Sequence, residues 1–325
     1  MSDLLELDLA CGDYEITRPI IDGVVNPAGT RLNIIKGLDN SVRIWRYLHN
    51  GEFDVAEFSC STYIAARDRG EPLVGLPIFL HRRFRHGFAF VNAAAGIRTP
   101  KDLIGKKVGV KTWQVTAILW LRGILESEYC VPYNSIDWYA ELDEDVPFEP
   151  PPGLRYTKLP DDKSVETMLV EGELDAVLHP DLIKPLRDRD PRIARLFPDF
   201  KNEEKRYYKK TGIFPIMHLV VVRRPIVEQN PWLPHSIFSA FQEAKTIAMR
   251  RMADPAITPL VWYGSAWEEE RALLGPDPWE YGLTPQNRKT LETMIGYSHA
   301  HGLISRRPSV DELFIDPTTC PPWAG

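Results

Sequence analysis

Short apolar runs alternate with stretches of helical period along the first hundred residues, a pattern that predicts an α/β layer. Leu5 to Cys11 reads as a strand running into the polar turn Gly12-Asp13-Tyr14, and Asn33 to Lys36 as a second strand. Asn40 can cap a helix whose Val42, Ile44, Trp45 and Leu48 make one apolar stripe, stopped by Gly51. Phe53 to Phe58 is the next strand, and Ser59 or Ser61 opens a short helix that ends near Gly70. A second unit of the same kind begins close to Asn92. Thr99 to Leu103 is a capped turn, Lys107 to Val110 a strand, and Thr112 to Thr116 open a helix toward Glu126. The proline-rich acidic segment Glu141 to Gly153 reads as a loop or surface insertion. A helix over Ser164 to Val170 and a strand over Leu174 to Leu178 follow it.

The run Ile213 to Val222 is apolar enough for a central strand that carries the chain back to the first layer. Helices then follow near His235 to Arg251, Ala266 to Leu274 and Asn287 to His301. The two strand-turn-helix units are alike, which suits two lobes around a cleft.

A chain of 325 residues can bury a large core and is long enough for two domains. Its formal net charge of -6 weighs against nonspecific nucleic-acid binding, which depends on phosphate neutralisation. It does not weigh against a small anion held in a locally cationic cleft. No run approaches the roughly 20 apolar residues of a membrane helix. The acidic start Met-Ser-Asp-Leu-Leu-Glu lacks the basic and apolar regions of a secretory leader. The expectation is a cytoplasmic protein with neither nucleic-acid nor membrane partners, and with homo-oligomerisation left open. Cys11, Cys60, Cys130 and Cys320 stand apart without a CxxC pair, so neither a zinc knuckle nor a disulfide scaffold is indicated. No GxGxxG follows a strand, and neither a GxSxG elbow nor an HExxH pair occurs.

Against the acidic balance, Leu76-Pro-Ile-Phe-Leu-His-Arg-Arg-Phe-Arg-His-Gly-Phe-Ala-Phe-Val91 is a cationic island framed by apolar residues. Buried guanidinium groups need an anionic answer, and a small anion in a pocket would supply it. If the stretch is extended, Arg82 and His86 face one side while His81, Arg83 and Arg85 face the other; a bend would relax that limit. Arg82 and His86 are the favoured pair, with Arg85 a further candidate contact. Arg18 follows a tight turn and offers a rigid fork suited to a carboxylate, or a structural pair with Asp13 or Asp22. Glu57 reads as a proton-transfer group or hydroxyl acceptor, or as an exposed strand-edge carboxylate. His179 projects from a strand-to-loop junction and His218 lies within the return strand. Both can exchange protons near neutral pH, and His218 can equally be a satisfied core histidine. Ser59, Ser61, Thr112 and Thr116 stand at helix starts whose N–H groups can receive a carboxylate, or they serve as caps alone.

Ala10-Cys-Gly-Asp-Tyr-Glu-Ile-Thr-Arg-Pro19, Phe53-Asp-Val-Ala-Glu-Phe-Ser59, the basic stretch and Thr211-Gly-Ile-Phe-Pro-Ile-Met-His218 together resemble the 4,5-dihydroxyphthalate decarboxylase family. The resemblance continues through Asn230-Pro-Trp232, Asp277-Pro-Trp-Glu-Tyr281 and Gly296-Tyr-Ser-His-Ala-His-Gly302, and so covers nearly the whole chain. It implies a type 2 periplasmic-binding-protein-like fold, with two α/β lobes crossed twice by the chain. Residues 1–91 and 213–325 would form the first lobe with its C-terminal helices, and 92–212 the second. It also implies loss of a carboxylate from a dihydroxylated aromatic ring, giving protocatechuate and carbon dioxide, by protonation of the carbon that bears the departing group. Within that chemistry Arg18 and Arg82 would anchor carboxylates, and His86 or His218 would give the proton. Glu57 or His179 would orient or deprotonate a phenol. Tyr14, Trp113 and Gln114 would set ring specificity, with Trp113 as a core wedge the alternative. The ring can hold the developing charge, so no organic cofactor is required, and a divalent ion bridging the hydroxyls stays open. The rival expectations are a small-anion binding or sensing protein without catalysis, and a decarboxylase of a related hydroxylated aromatic acid.

Overall fold

The apolar runs become strands in a computed structural model that describes residues 4–325. In chain order these are β1 (Leu5–Ala10), β2 (Thr30–Ile35), β3 (Val55–Ser59), β4 (Leu73–Arg82), β5 (Ala89–Asn92), β6 (Lys107–Val110), β7 (Asp137–Ala140), β8 (Arg155–Lys158), β9 (Ala176–Leu178), β10 (Ile193–Arg195) and β11 (Ile216–Arg223). One sheet has the order β2-β1-β3-β11-β4 and the other β10-β5-β9-β6-β7-β8. The chain leaves the first sheet after Arg82 and returns with β11, which pairs antiparallel between β3 and β4. β3, β4 and β11 are buried along almost their whole length, which is why each reads as a continuous apolar run rather than an alternating one.

The division expected after residue 91 cuts through a strand. Val91 pairs with Ala176 of β9 and Ala194 of β10, so β5 belongs wholly to the second sheet. The crossing lies earlier, where β4 stops and the chain turns through the short 3₁₀ helix His86–Phe88. β7, β8 and β10 were not read from the sequence; each spans one turn of alternation or two, too little for a period to show.

The lobes share their packing. Helix Thr116–Tyr129 of the second lobe lies against helices Cys60–Asp68 and Pro285–Ala300 of the first, and one apolar cluster runs through both. Gly123 permits that approach, because a Cβ there would collide with the Tyr297 ring. Trp120 Nε1 donates to Ile216 O at 2.9 Å, tying the same helix to the start of β11. Among the described residues no helix is long and apolar enough to cross a membrane.

One irregularity positions the site. The β4–β11 register slips on both sides of His218, and Pro77, which has no N–H for the ladder, lies in the irregular part of β4. The slip sets His218 directly opposite His81.

Candidate active site

Two imidazoles therefore stand side by side. The His81 and His218 rings are 4.9 Å apart, edge to face. Behind His218, the Glu57 carboxylate of β3 accepts four hydrogen bonds. Tyr14 Oη at 2.8 Å and His218 Nδ1 at 2.5 Å reach Oε1; Gly12 N at 2.7 Å and Arg43 Nη2 at 2.6 Å reach Oε2. Burial alone would raise the Glu57 pKa, but Arg43, His218 and Tyr14 hold it well below the usual carboxylate range. Glu57 is thus an ionised acceptor, which assigns the proton to His218 Nδ1 and leaves Nε2 as the ring's other nitrogen. His81 is different. Burial, then His218, Arg85 and Arg83, push its pKa down to about 2, so it stays neutral, and its Nδ1 is buried without a partner.

Both rings line a cleft of about 520 Å³ between the lobes. Three helices open on it: Asn40–His49, Cys60–Asp68 and Thr116–Tyr129. Their N-cap side chains leave the helix starts uncapped, and the hydroxyls nearby bridge the lobes instead. Ser59 Oγ and Thr116 Oγ1 are 2.8 Å apart, and Thr116 Oγ1 accepts from Ser61 N at 3.0 Å. Arg85 lines the same cleft at 2% exposure. Its Nη1 donates to Pro180 O at 2.6 Å and its Nε approaches Met217 Sδ at 3.1 Å. Burial, then Arg83, pushes its pKa down to about 9, so it remains a cation at neutral pH. No ion pair answers it among the described residues, and a ligand carboxylate would.

A 4,5-dihydroxyphthalate decarboxylase of Comamonas testosteroni is 33% identical over 319 residues, 95% of this chain and 96% of its own length. The chain belongs to the 4,5-dihydroxyphthalate decarboxylase family. A second 4,5-dihydroxyphthalate decarboxylase, from Pseudomonas putida, is 29% identical over 63% of this chain and 82% of its own. Residues 26–128 also match the NMT1/THI5 like family model. This member of the decarboxylase family has the type 2 periplasmic-binding-protein-like fold. The periplasmic aliphatic sulphonate binding protein SsuA from Escherichia coli superposes with a TM-score of 0.57 at 13% identity, over 95% of this chain and 97% of its own. The alkanesulfonate-binding protein SsuA from Xanthomonas axonopodis pv. citri gives a TM-score of 0.57 at 13% identity, over 97% and 99%. The cytoplasmic expectation is corrected: the Escherichia coli protein that shares this fold is periplasmic, so nothing in the fold supports a cytoplasmic location.

Within this decarboxylase-family cleft, the face of the basic stretch favoured from the sequence is the wrong one. Arg82 points under the C-terminal helices, where its Nη2 donates to Asn287 Oδ1 at 2.6 Å and Glu280 O at 2.9 Å. His86 is packed among Tyr129, Phe197 and Tyr207, and burial pushes its pKa down to about 4. Neither lines the cleft. Strict alternation ends where β4 ends, so the turn brings Arg85 round to join His81. Arg83 instead borders a separate apolar groove of about 430 Å³ with Phe84, Phe214 and Trp279 and does not line the cleft.

Other expectations are corrected as well. Arg18 pairs with Asp13 at 2.9 Å in an exposed ion pair, outside the cleft. Trp113 is the core wedge: it stacks on Phe148, carries the Arg122 guanidinium 3.5 Å above its ring, and donates to His301 O at 3.0 Å. Gln114 exchanges hydrogen bonds with the Val146 backbone at 2.5 and 3.1 Å. His179 folds onto Asp181 N at 3.0 Å and does not line the cleft. Tyr14 stands behind Glu57. Glu57, His218, Ser59, Thr116 and Arg85 are brought together, and His81 was passed over because only strand pairing shows it opposite His218. The acidic segment is no surface insertion. Glu144 accepts from Trp113 N at 2.5 Å and Gln114 N at 2.9 Å, and Leu142, Asp143 and Asp145 form a wall of the cleft. Among the described residues, no group of three or more His, Cys, Asp or Glu side chains is placed to hold a metal ion.

Proposed function

We propose that the protein decarboxylates 4,5-dihydroxyphthalate to protocatechuate in the interlobe cleft. Family membership supports a carbon–carbon lyase acting on a hydroxylated aromatic acid. The observation that carries the finer reading is the His218–Glu57 pair on the cleft wall, at 2.5 Å, close to the unanswered guanidinium of Arg85. Arg85 takes one carboxylate of the substrate, and the helix starts at Ser59 and Thr116 take the other. Protonated His218 delivers its Nε2 proton to the ring carbon bearing the departing carboxylate. A ring π pair makes the new C–H bond, and the hydroxyl para to that carbon supplies electron density to the cationic ring. The C–C bonding pair then returns to the ring as carbon dioxide leaves, and His218 is left neutral. Glu57 offsets the imidazolium charge and fixes the ring's tilt. Neutral His81 can offer one N–H to the departing carboxylate without the ion pair that would hold it back. The cleft volume lies within the range of about 300–1,000 Å³ usual for small-molecule sites.

Incubating the purified protein with 4,5-dihydroxyphthalate and a panel of hydroxylated aromatic acids tests this reading, with carbon dioxide and ring product followed by chromatography. Protocatechuate should form, and the same assay after chelation and after metal addition reads metal dependence directly. Substrate that binds yet returns unchanged would reduce the protein to an anion-binding module, the role that Arg85 and the fold would still serve.

A further inference from the structure

The cleft has two chemically different ends. Arg85 is bonded to Pro180 O and Met217 Sδ, whereas Asp145, on the acidic wall, lies beside His49, whose ring meets its carbonyl. The two residues share no bonding partner and belong to different walls of the one cleft. The Asp145 side chain makes neither a hydrogen bond nor an ion pair among the described residues, although it is mostly buried and lines the cleft. Its position is nonetheless fixed. Glu144 before it is bonded to Trp113 N and Gln114 N, and Val146 after it is bonded at both backbone groups by Gln114. Its own carbonyl receives His49 Nε2 at 3.1 Å, and Arg69 donates to Pro147 O at 2.7 Å, so the first lobe holds the loop from the other side. A rigidly placed carboxylate with both oxygens free, sharing one cleft with an almost fully buried arginine that has no ion pair among the described residues, calls for a ligand with an anion on one edge and O–H donors on the other.

We propose that Asp145 selects for vicinal ring hydroxyls, its two oxygens accepting from both; this rests on the decarboxylase reading of the cleft. A ring carboxylate held by Arg85 directs the para and adjacent meta hydroxyls toward the opposite end. Burial, followed by Glu144, raises the Asp145 pKa to about 6, which leaves it mainly an acceptor at neutral pH. An acceptor at the para hydroxyl also strengthens the electron release that ring protonation needs.

Protocatechuate and benzoate separate the two ends, since both carry a carboxylate and only one carries the diol. Titration calorimetry on the full chain should find protocatechuate bound more tightly than benzoate. Asp145→Ala should weaken protocatechuate by about tenfold to a hundredfold, the usual value of hydrogen bonds to a charged group, while benzoate binding holds. Asp145→Asn, which keeps the shape and one acceptor, should fall between. Arg85→Met should weaken both ligands. If Asp145→Ala and Asp145→Asn keep the wild-type preference while Arg85→Met loses both ligands, the inference fails and the cleft reading survives. Equal wild-type affinities overturn the inference in the same way. Wild-type binding of neither ligand, or unchanged binding in Arg85→Met, overturns the cleft reading and the inference with it.

Discussion

Arg82 and Arg85 come from one basic stretch and are buried to 5% and 2% exposure, yet Arg82 meets three protein oxygens and Arg85 only one. Asn287, Glu280 and Phe214 surround Arg82 with oxygen, and the Phe79 ring lies 5.1 Å from its guanidinium carbon. Arg85 has one carbonyl, one thioether and a cleft. Burial penalises both charges to a similar degree, with pKa values pushed down to about 10 and about 9. Burial therefore does not separate a structural arginine from a ligand-binding one. The separating feature is whether both terminal nitrogens are already taken: in Arg82 they are, with Nε alone unmet, and in Arg85 only Nη1 meets an oxygen.

The comparison extends along the stretch, with His81 on the side of Arg85 and His86 on the side of Arg82, and it can be attacked at each point. The largest effect should come from His218→Gln, which removes the proposed proton donor of the Arg85 side. The rate constant kcat should fall by about 10²–10⁴ with substrate affinity little changed; near-normal turnover in stopped assays would end the proposed role. On the Arg82 side, His86 should govern stability instead. Its folded pKa of about 4 lies below the ordinary 6.5, so the unfolded chain takes up the proton first as pH falls. Its contribution is complete above pH 6.5 and lost between 6.5 and 4, of the order of 3 kcal/mol. Denaturant titrations across that window should show a shallower pH dependence in His86→Phe, and an unchanged slope would remove His86 from the account.

Next in size is the paired replacement of the two arginines. Arg85→Met should raise the Kd for the aromatic acid by about ten- to a hundredfold, because a charge-assisted contact is lost, and leave the melting temperature level or higher. Arg82→Met should do the reverse. It strands the Asn287 and Glu280 oxygens, costing about 1–3 kcal/mol of stability, while the folded protein binds normally. If the two variants exchanged these outcomes, the distinction between the two arginines would collapse. Arg18→Ala should produce the smallest change, under about 1 kcal/mol in stability as for other exposed ion pairs, with unaltered kcat/KM.

Much of this was legible in local pattern. The helix starts at Asn40, Ser59 and Thr116 and the return strand through His218 follow from caps and apolar runs, and they deliver His218, Ser59 and Thr116 to the cleft with Glu57 behind. Periodicity also sorted Arg82 from His81 correctly as opposite faces. It could not say which face looks inward, because that depends on residues far along the chain: Glu280 and Asn287 cover Arg82, and β11 lies beside His81. The inversion was completed by the turn after Arg82, which brought Arg85 to the His81 side and sent His86 into a separate aromatic nest. Trp113 and Gln114 stand at the right helix start but are roofed by the acidic loop, whose contacts involve residues about thirty positions away. Nothing in the composition of Glu141 to Gly153 marks it as a wall rather than a surface excursion.

Helix Thr116–Tyr129 belongs by sequence to one lobe and by packing to both, through Gly123 against Tyr297 and Trp120 bonded to Ile216 O. Transport receptors of this architecture work as jaws, swinging about a hinge to trap and surrender cargo. Here a wide swing would tear a greased axle from its bearing. The frame is that of a vice more than a jaw: it gives up travel for repeatable alignment, which the proposed delivery of a proton to a single ring carbon would demand and a ferried sulfonate would not.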